Sequence, residues 1–274
     1  MKSIVFGQYY PAESVLHRLD PRIKILITVL YIVSTFLCKN VFSFALLLLS
    51  AVVLVLLGKV PPRAVFRSLR PVLFVLAFTA FLNVFWTKGE GDPIFSKWII
   101  SIYKDGIYNA VFIMVRIVAL ILGTSMLLTY TTTPIALTDA IEDILSPLKR
   151  LHLPVHEFAM MMTIALRFIP TLIEETEKIM TAQKARGADF TSGSIVQRAK
   201  SLIPVLIPLF ISAFNRATEL ATAMECRCYH GGEGRTRMNV RRVRFTDVAY
   251  LVIFVLLCAA LVGLNILNIG YTMG

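Results

Sequence analysis

The sequence predicts an all-α integral membrane protein, with about five transmembrane helices plus a cytoplasmic module of long helices. Three observations carry this reading. The chain is 57% hydrophobic and 16% charged with a mean hydropathy of +0.72, a balance that a soluble domain of 274 residues does not carry. Its apolar residues fall in long runs broken by short polar turns. Its formal net charge of +11 is concentrated between those runs, where it reports membrane topology before nucleic-acid binding.

Residues 1–22 are mixed and basic and end in Leu19-Asp20-Pro21-Arg22. No cleavable signal is expected, because the first apolar run begins after Pro21 and has no small-residue cleavage site. That run, residues 23–38, is the first span, with Lys24 placed to snorkel at its start. Lys39-Asn40 makes a tight polar turn, and residues 41–57 form the second span. Both are short against the roughly 20 residues that cross about 30 Å of hydrocarbon, so flanking residues are expected to complete them. Residues 58–70 read as a loop with Lys59, Arg63, Arg67 and Arg70 and no acid. The third span, residues 71–86, ends in Trp86, an aromatic of the kind favoured at interfaces. Residues 87–106 mix both charge signs, residues 107–130 are the fourth span, and residues 245–269 contain the last.

The all-basic 58–70 loop belongs in the cytoplasm by the positive-inside bias. That places the N-terminus inside, residues 87–106 outside, residues 131–244 inside and the C-terminus outside. Arg235, Arg237, Arg241, Arg242 and Arg244, just before the last span, fit the same orientation as topology anchors and anionic-lipid contacts. The layout is then residues 1–130 for the N-terminal segment and four spans, 131–244 for a membrane-apposed module, and 245–274 for the last span.

The module opens at Thr133-Pro134, a threonine cap followed by proline in the first turn. Leu137, Ile141, Ile144, Leu145 and Leu148 form one apolar stripe opposed by Asp139, Glu142 and Asp143, and Pro147 should bend or end that helix. A second helix is expected over 156–186 and a third over 194–227, with Thr191-Ser192-Gly193 between them. Their early halves, 158–170 and 202–214, are apolar nearly all round. Each apolar core is about 13 residues, the length of a buried or interfacial segment rather than a span, and Pro204 and Pro208 interrupt the second.

Both helices end in an arginine between small residues: Ala185-Arg186-Gly187 and Cys226-Arg227-Cys228, offset by 41 residues. The same offset aligns Thr181-Ala182 with Thr222-Ala223. Such an arginine can enter a groove because nothing bulky holds the partner away, and its planar guanidinium offers forked hydrogen bonds that lysine cannot. A pair of such plugs suggests a partner with two similar sockets.

Other chemistry is thinly supported. Gly58-Lys59 lacks the upstream glycine of a phosphate loop, and Gly231-Gly232-Glu233-Gly234 follows a helix where a phosphate site would open one. His152 and His156 have metal-ligand spacing, but Pro154 lies between them and the adjacent glutamate of a zinc-protease helix is missing. Cys226, Cys228 and His230 make a weak ligand set. Cys38 and Cys258 sit in or beside spans as packing residues. Arg116, within a span, would cost about 2.5–3.5 kcal/mol at mid-bilayer and should therefore face protein, paired with a neighbouring helix. No cofactor is expected.

The stretches Leu19-Asp20-Pro21-Arg22-Ile23-Lys24, Thr132-Thr133-Pro134, Leu153-Pro154-Val155-His156-Glu157, Leu166-Arg167-Phe168-Ile169-Pro170 and Ala182-Gln183-Lys184-Ala185-Arg186-Gly187 resemble the transmembrane T component of energy-coupling factor (ECF) transporters, the family that includes the cobalt permease CbiQ. The resemblance covers most of the chain. It implies that the long module helices are coupling helices, and that Ala185, Arg186 and Gly187, with Cys226, Arg227 and Cys228, dock into two ATP-binding cassette ATPase subunits, identical or paralogous. The second tip departs from the family pattern in its two cysteines, which are still small.

The resemblance also implies a membrane-embedded substrate-binding S component and a vitamin or transition-metal cargo. The apolar module faces, with Phe158, Met161, Met162, Phe168, Leu206, Leu209, Phe210 and Phe214, are the expected S-component surface. The chain itself is expected to be non-catalytic, with ATP hydrolysed by its partners, the lipid bilayer around it and no nucleic acid bound. A permease dedicated to cobalt or nickel is an alternative within the family. A metal-dependent membrane enzyme using His152, His156 and Glu157 is one outside it, as is a stand-alone secondary carrier, which the lack of acids within the spans disfavours.

Overall fold

A computed structural model describes residues 9–86, 95–97, 100–147, 154–190, 192, 194–231 and 243–266. Among these, helix dominates: α1 Val15–Arg18, α2 Pro21–Leu37, α3 Val41–Gly58, α4 Pro62–Trp86, α5 Lys104–Thr124, α6 Pro134–Leu145, α7 Val155–Ala185, α8 Ile195–Cys226 and α9 Phe245–Ile266. The exception is a hairpin of two three-residue strands, β1 Phe95–Lys97 and β2 Ile100–Ile102, antiparallel with Ser96 opposite Ser101.

The chain divides into two compact units, one from the described residues of Gly7–Leu137 and Arg241–Gly274, the other from those of Thr138–Val240. In the first, α5 packs on α2, α3 and α4, while α9 packs on α2 and α3. The core holds Tyr31, Leu47, Met126, Leu127 and Leu261, all fully buried. Local chemistry explains the helix starts. The Asp20 carboxylate accepts from the Arg22 N–H at 2.9 Å with Pro21 in the first turn, so the Asp-Pro-Arg sequence is an N-cap. Gly123 is where α5 meets α2: a Cβ there would lie 2.1 Å from the Tyr31 ring, whose hydroxyl donates to the Ala119 carbonyl at 3.0 Å.

Two findings revise the expectations for this unit. Residues 62–70 are helix, not loop, because Pro62 takes the first-turn position where its missing N–H costs nothing and α4 then runs on through Pro71. Lys24 does not snorkel. It is 1% exposed and donates from Nζ to the Thr131 carbonyl at 2.8 Å and to Thr132 Oγ1 at 3.2 Å, because α5 ends there in a π-turn, Ser125–Thr129, that leaves acceptors turned inward. The fourth span is thus α5 plus that turn, closed by the Tyr130 N–H on the Ser125 carbonyl at 2.9 Å. Arg116 does pair with its neighbours: Nη2 donates to the Cys38 carbonyl at the end of α2 at 2.9 Å, and the guanidinium stands 5.3 Å from the Phe44 ring centre.

The second unit contains the α6 residues from Thr138 onward, α7 and α8. Thr133 Oγ1 accepts from the Ala136 N–H at 3.3 Å to start α6, which ends two residues before Pro147. Ser194 and Gln197 form a reciprocal capping box at the start of α8. The connector residue Ser192 bonds to the Asp189 carboxylate from both its N–H and its hydroxyl.

Against the five spans expected, six described helices are long and apolar enough to cross a membrane by length and composition: α3, α4, α5 with its π-turn, α7, α8 and α9. The 17-residue α2 is not among them. The difference lies in α7 and α8, where an 18-residue window reaches a mean hydropathy of 1.2 and 1.4 even though it extends beyond the apolar core of about 13 residues and takes in charged side chains, Glu157 and Arg167 in α7.

Candidate functional site

The two arginine tips have the same backbone. α7 ends at Ala185 with Arg186 as its C-cap and Gly187 at φ +89°, and α8 ends at Cys226 with Arg227 as its C-cap and Cys228 at φ +58°. At the first tip the Gly187 N–H donates to the Lys184 carbonyl and the Ala188 N–H to the Gln183 carbonyl, each at 3.0 Å. At the second, the Cys228 N–H donates to the Glu225 carbonyl at 2.8 Å and the Tyr229 N–H to the Met224 carbonyl at 3.1 Å. Both are Schellman caps, and every donor and acceptor is displaced by the same 41 residues. Ala185, Arg186, Gly187, Cys226, Arg227 and Cys228 are all exposed. Each guanidinium therefore stands at the end of a long helix, on a turn whose small neighbours leave it open to approach.

The sequence reading missed what joins the two helices. Arg216 Nη2 on α8 donates to Glu175 Oε2 on α7 at 2.6 Å, and these residues are also 41 apart. Gln183 Nε2 reaches the Pro204 carbonyl at 3.4 Å, so position rises along α7 as it falls along α8, and the pair crosses antiparallel. The signal was available: the offset that aligns the tips also aligns Glu175 with Arg216. A crossing at which equivalent residues meet is locally two-fold symmetric.

Of the eight apolar residues singled out on the module, Phe158, Met161, Met162, Leu206, Phe210 and Phe214 are exposed, while Phe168 and Leu209 are half-buried. Phe210 and Phe214 lie with ring centres 5.0 Å apart. Phe158 and Met162 also line a small cavity of about 50 Å³ with Ile141 and Leu145 of α6. His156 points its Nδ1 at Glu142 Oε1, 3.1 Å away on α6, while His152 lies outside the described residues. Also outside them are Gly232, Glu233 and Gly234, and Arg235, Arg237, Arg241 and Arg242. Among the described residues no three His, Cys, Asp or Glu side chains gather as metal ligands would, Cys226, Cys228 and His230 included.

Fold and composition define a multi-pass, all-α integral membrane protein. A profile of the CbiQ family, described as cobalt transport protein, matches residues 12–238. The chain is 53% identical over 252 residues to the energy-coupling factor transporter transmembrane protein EcfT of Ruminiclostridium cellulolyticum, covering 92% of each chain. It is 48% identical over 264 residues to the EcfT of Clostridium kluyveri, covering 96% of this chain and 97% of that one. It is also 48% identical over 261 residues to the EcfT of Bacillus subtilis, covering 95% and 98%. The chain belongs to this EcfT/CbiQ family of transporter transmembrane components.

Proposed function

We propose that this chain is the energy-coupling subunit of an ECF-type importer, transmitting ATP-driven motion of two ATPase subunits to a membrane-embedded S component that binds a vitamin or metal. The observation that carries it is the pair of arginine tips with one backbone geometry and one offset, a design suited to two equivalent grooves on a two-fold partner. Arg186 and Arg227 each seat in one ATPase, with Ala185, Gly187, Cys226 and Cys228 keeping the approach clear. The apolar residues around Phe158, Met161, Phe210 and Phe214 face the S component. Residues 131–244 form the coupling module on the cytoplasmic side, with the N-terminus inside and the C-terminus outside. ATP is hydrolysed by the partners, and the chain carries no catalytic group of its own.

Truncating one partner of a buried charge-assisted pair costs about 2–5 kcal/mol. The double variant Arg186→Glu/Arg227→Glu is therefore expected to insert in the membrane at wild-type level while losing ATPase pull-down and uptake. Wild-type capture of the ATPases by that variant, with normal uptake, would refute the docking role. A second reading, a permease dedicated to cobalt or nickel, draws on the description of the matched family profile. Mass identification of the co-purifying S component separates a metal-binding one from vitamin binders.

A further inference from the structure

We propose that one face of α4 is a binding site for an anionic phospholipid, independent of the arginine tips. Its phosphate is held by Arg63, Arg67 and Arg70, and its acyl chain lies along Phe74, Phe78 and Phe81. At 3.6 residues per turn these six positions fall within an arc of about 80°. All six are exposed, Phe74 by 78%, Phe78 by 55% and Phe81 by 57%. The buried residues of the helix, Val65 and Leu76, lie on the opposite side, where α4 packs against α5. The face is thus what the helix leaves over after its own packing is complete.

Its chemistry changes once, between Arg70 and Pro71. The N-terminal two turns are basic, and the stretch beyond is apolar. No acid occurs anywhere in α4 to neutralise the arginines from the same helix. Three guanidiniums on one stripe match a phosphodiester, which accepts forked hydrogen bonds and carries a full negative charge. The run from Arg70 to Phe81 rises about 16 Å, close to half of the roughly 30 Å hydrocarbon thickness and so to one leaflet. The first two rings are near-parallel, with planes 7° apart and centres 6.4 Å apart, and both are open to a methylene chain.

A water-soluble acidic partner would satisfy the arginines and leave the phenyl strip bare. A neighbouring transmembrane helix would cover the strip but would need several carboxylates grouped at one end. A phospholipid supplies both parts at the observed separation. An anionic headgroup is favoured over a zwitterionic one because no ammonium offsets its phosphate.

The test is native mass spectrometry of the full-length chain released from nanodiscs of mixed phosphatidylglycerol and phosphatidylcholine. The wild type should retain phosphatidylglycerol preferentially. At roughly fivefold per arginine, R63Q/R67Q/R70Q should bind it about a hundredfold more weakly, with phosphatidylcholine binding unchanged. In case the variant does not fold, the wild type is also measured at raised salt, which should release phosphatidylglycerol selectively. Equal retention of the two lipids by the wild type would overturn the proposal, as would salt-independent retention. Finding this face covered by a protein subunit in the purified complex would overturn it as well.

Discussion

At the scale of single residues, the two tips differ in what holds their last turn. Gly187 occupies the left-handed region without steric cost, whereas Cys228 adopts φ +58° with a Cβ present. That conformation costs an ordinary L-residue about 1–2 kcal/mol. Cys228→Gly should therefore tighten the second tip, slowing amide exchange at Tyr229, whose N–H closes the cap, by about fivefold or more. Unchanged exchange would mean that the turn is not held in the left-handed conformation in solution. The sequence displayed the small residues at both tips but not their conformations, since glycine permits a positive φ without requiring it. Lys24 is the opposite case: its neighbours suggested an interfacial cation, and its burial arises only because the chain just beyond the π-turn presents Thr131 and Thr132 to it.

At the scale of elements, the contact between α2 and α5 is set by the absence of a side chain at Gly123. The Tyr31 ring against it is fully buried and its hydroxyl is bonded to Ala119, so the ring has nowhere to swing. Gly123→Ala is expected to force the helices apart and cost at least about 2 kcal/mol, as overpacking of a closed core does. The measurement is thermal unfolding in detergent, with Tyr31→Leu as a second-site change that should recover part of the loss. A melting temperature equal to wild type would show that the contact is looser than described.

The start of α6 was readable at this scale, because Thr133-Pro134 carries its cap locally, whereas the Asp20 cap and the Ser194–Gln197 box emerge only from the structure. The start of α4 differs from the expected loop because four cations without an acid over residues 58–70 masked the first-turn signal of Pro62. The shared offset pairs Glu175 with Arg216 in the sequence, but that they touch depends on how two long helices cross.

For the whole molecule, the number of crossings depends on where α7 and α8 reside. Length and composition admit both as spans, while the proposed coupling role keeps their connector in the cytoplasm. Ser192→Cys separates these directly. A membrane-impermeant maleimide should leave the variant unlabelled in intact cells and label it beyond the wild-type background in inverted vesicles. The exposed native thiols Cys226 and Cys228 are expected on the inner face in either arrangement, so they add no outside signal. Labelling of Ser192→Cys from outside would make α7 and α8 true spans and would place the Arg186 tip beyond reach of any cytoplasmic ATPase.

The Glu175–Arg216 crossing fixes a mechanical ratio. From it to either arginine is 11 residues of helix, about 16 Å; to the far ends of α7 and α8 it is about 20 residues, near 30 Å. If the crossing stays put, drawing the tips together by one ångström swings the opposite ends by nearly two. Pro170, Pro204 and Pro208 all lie on those longer arms, so the helix-breaking positions fall on the apolar side, and the short arms that lead to the tips hold no proline.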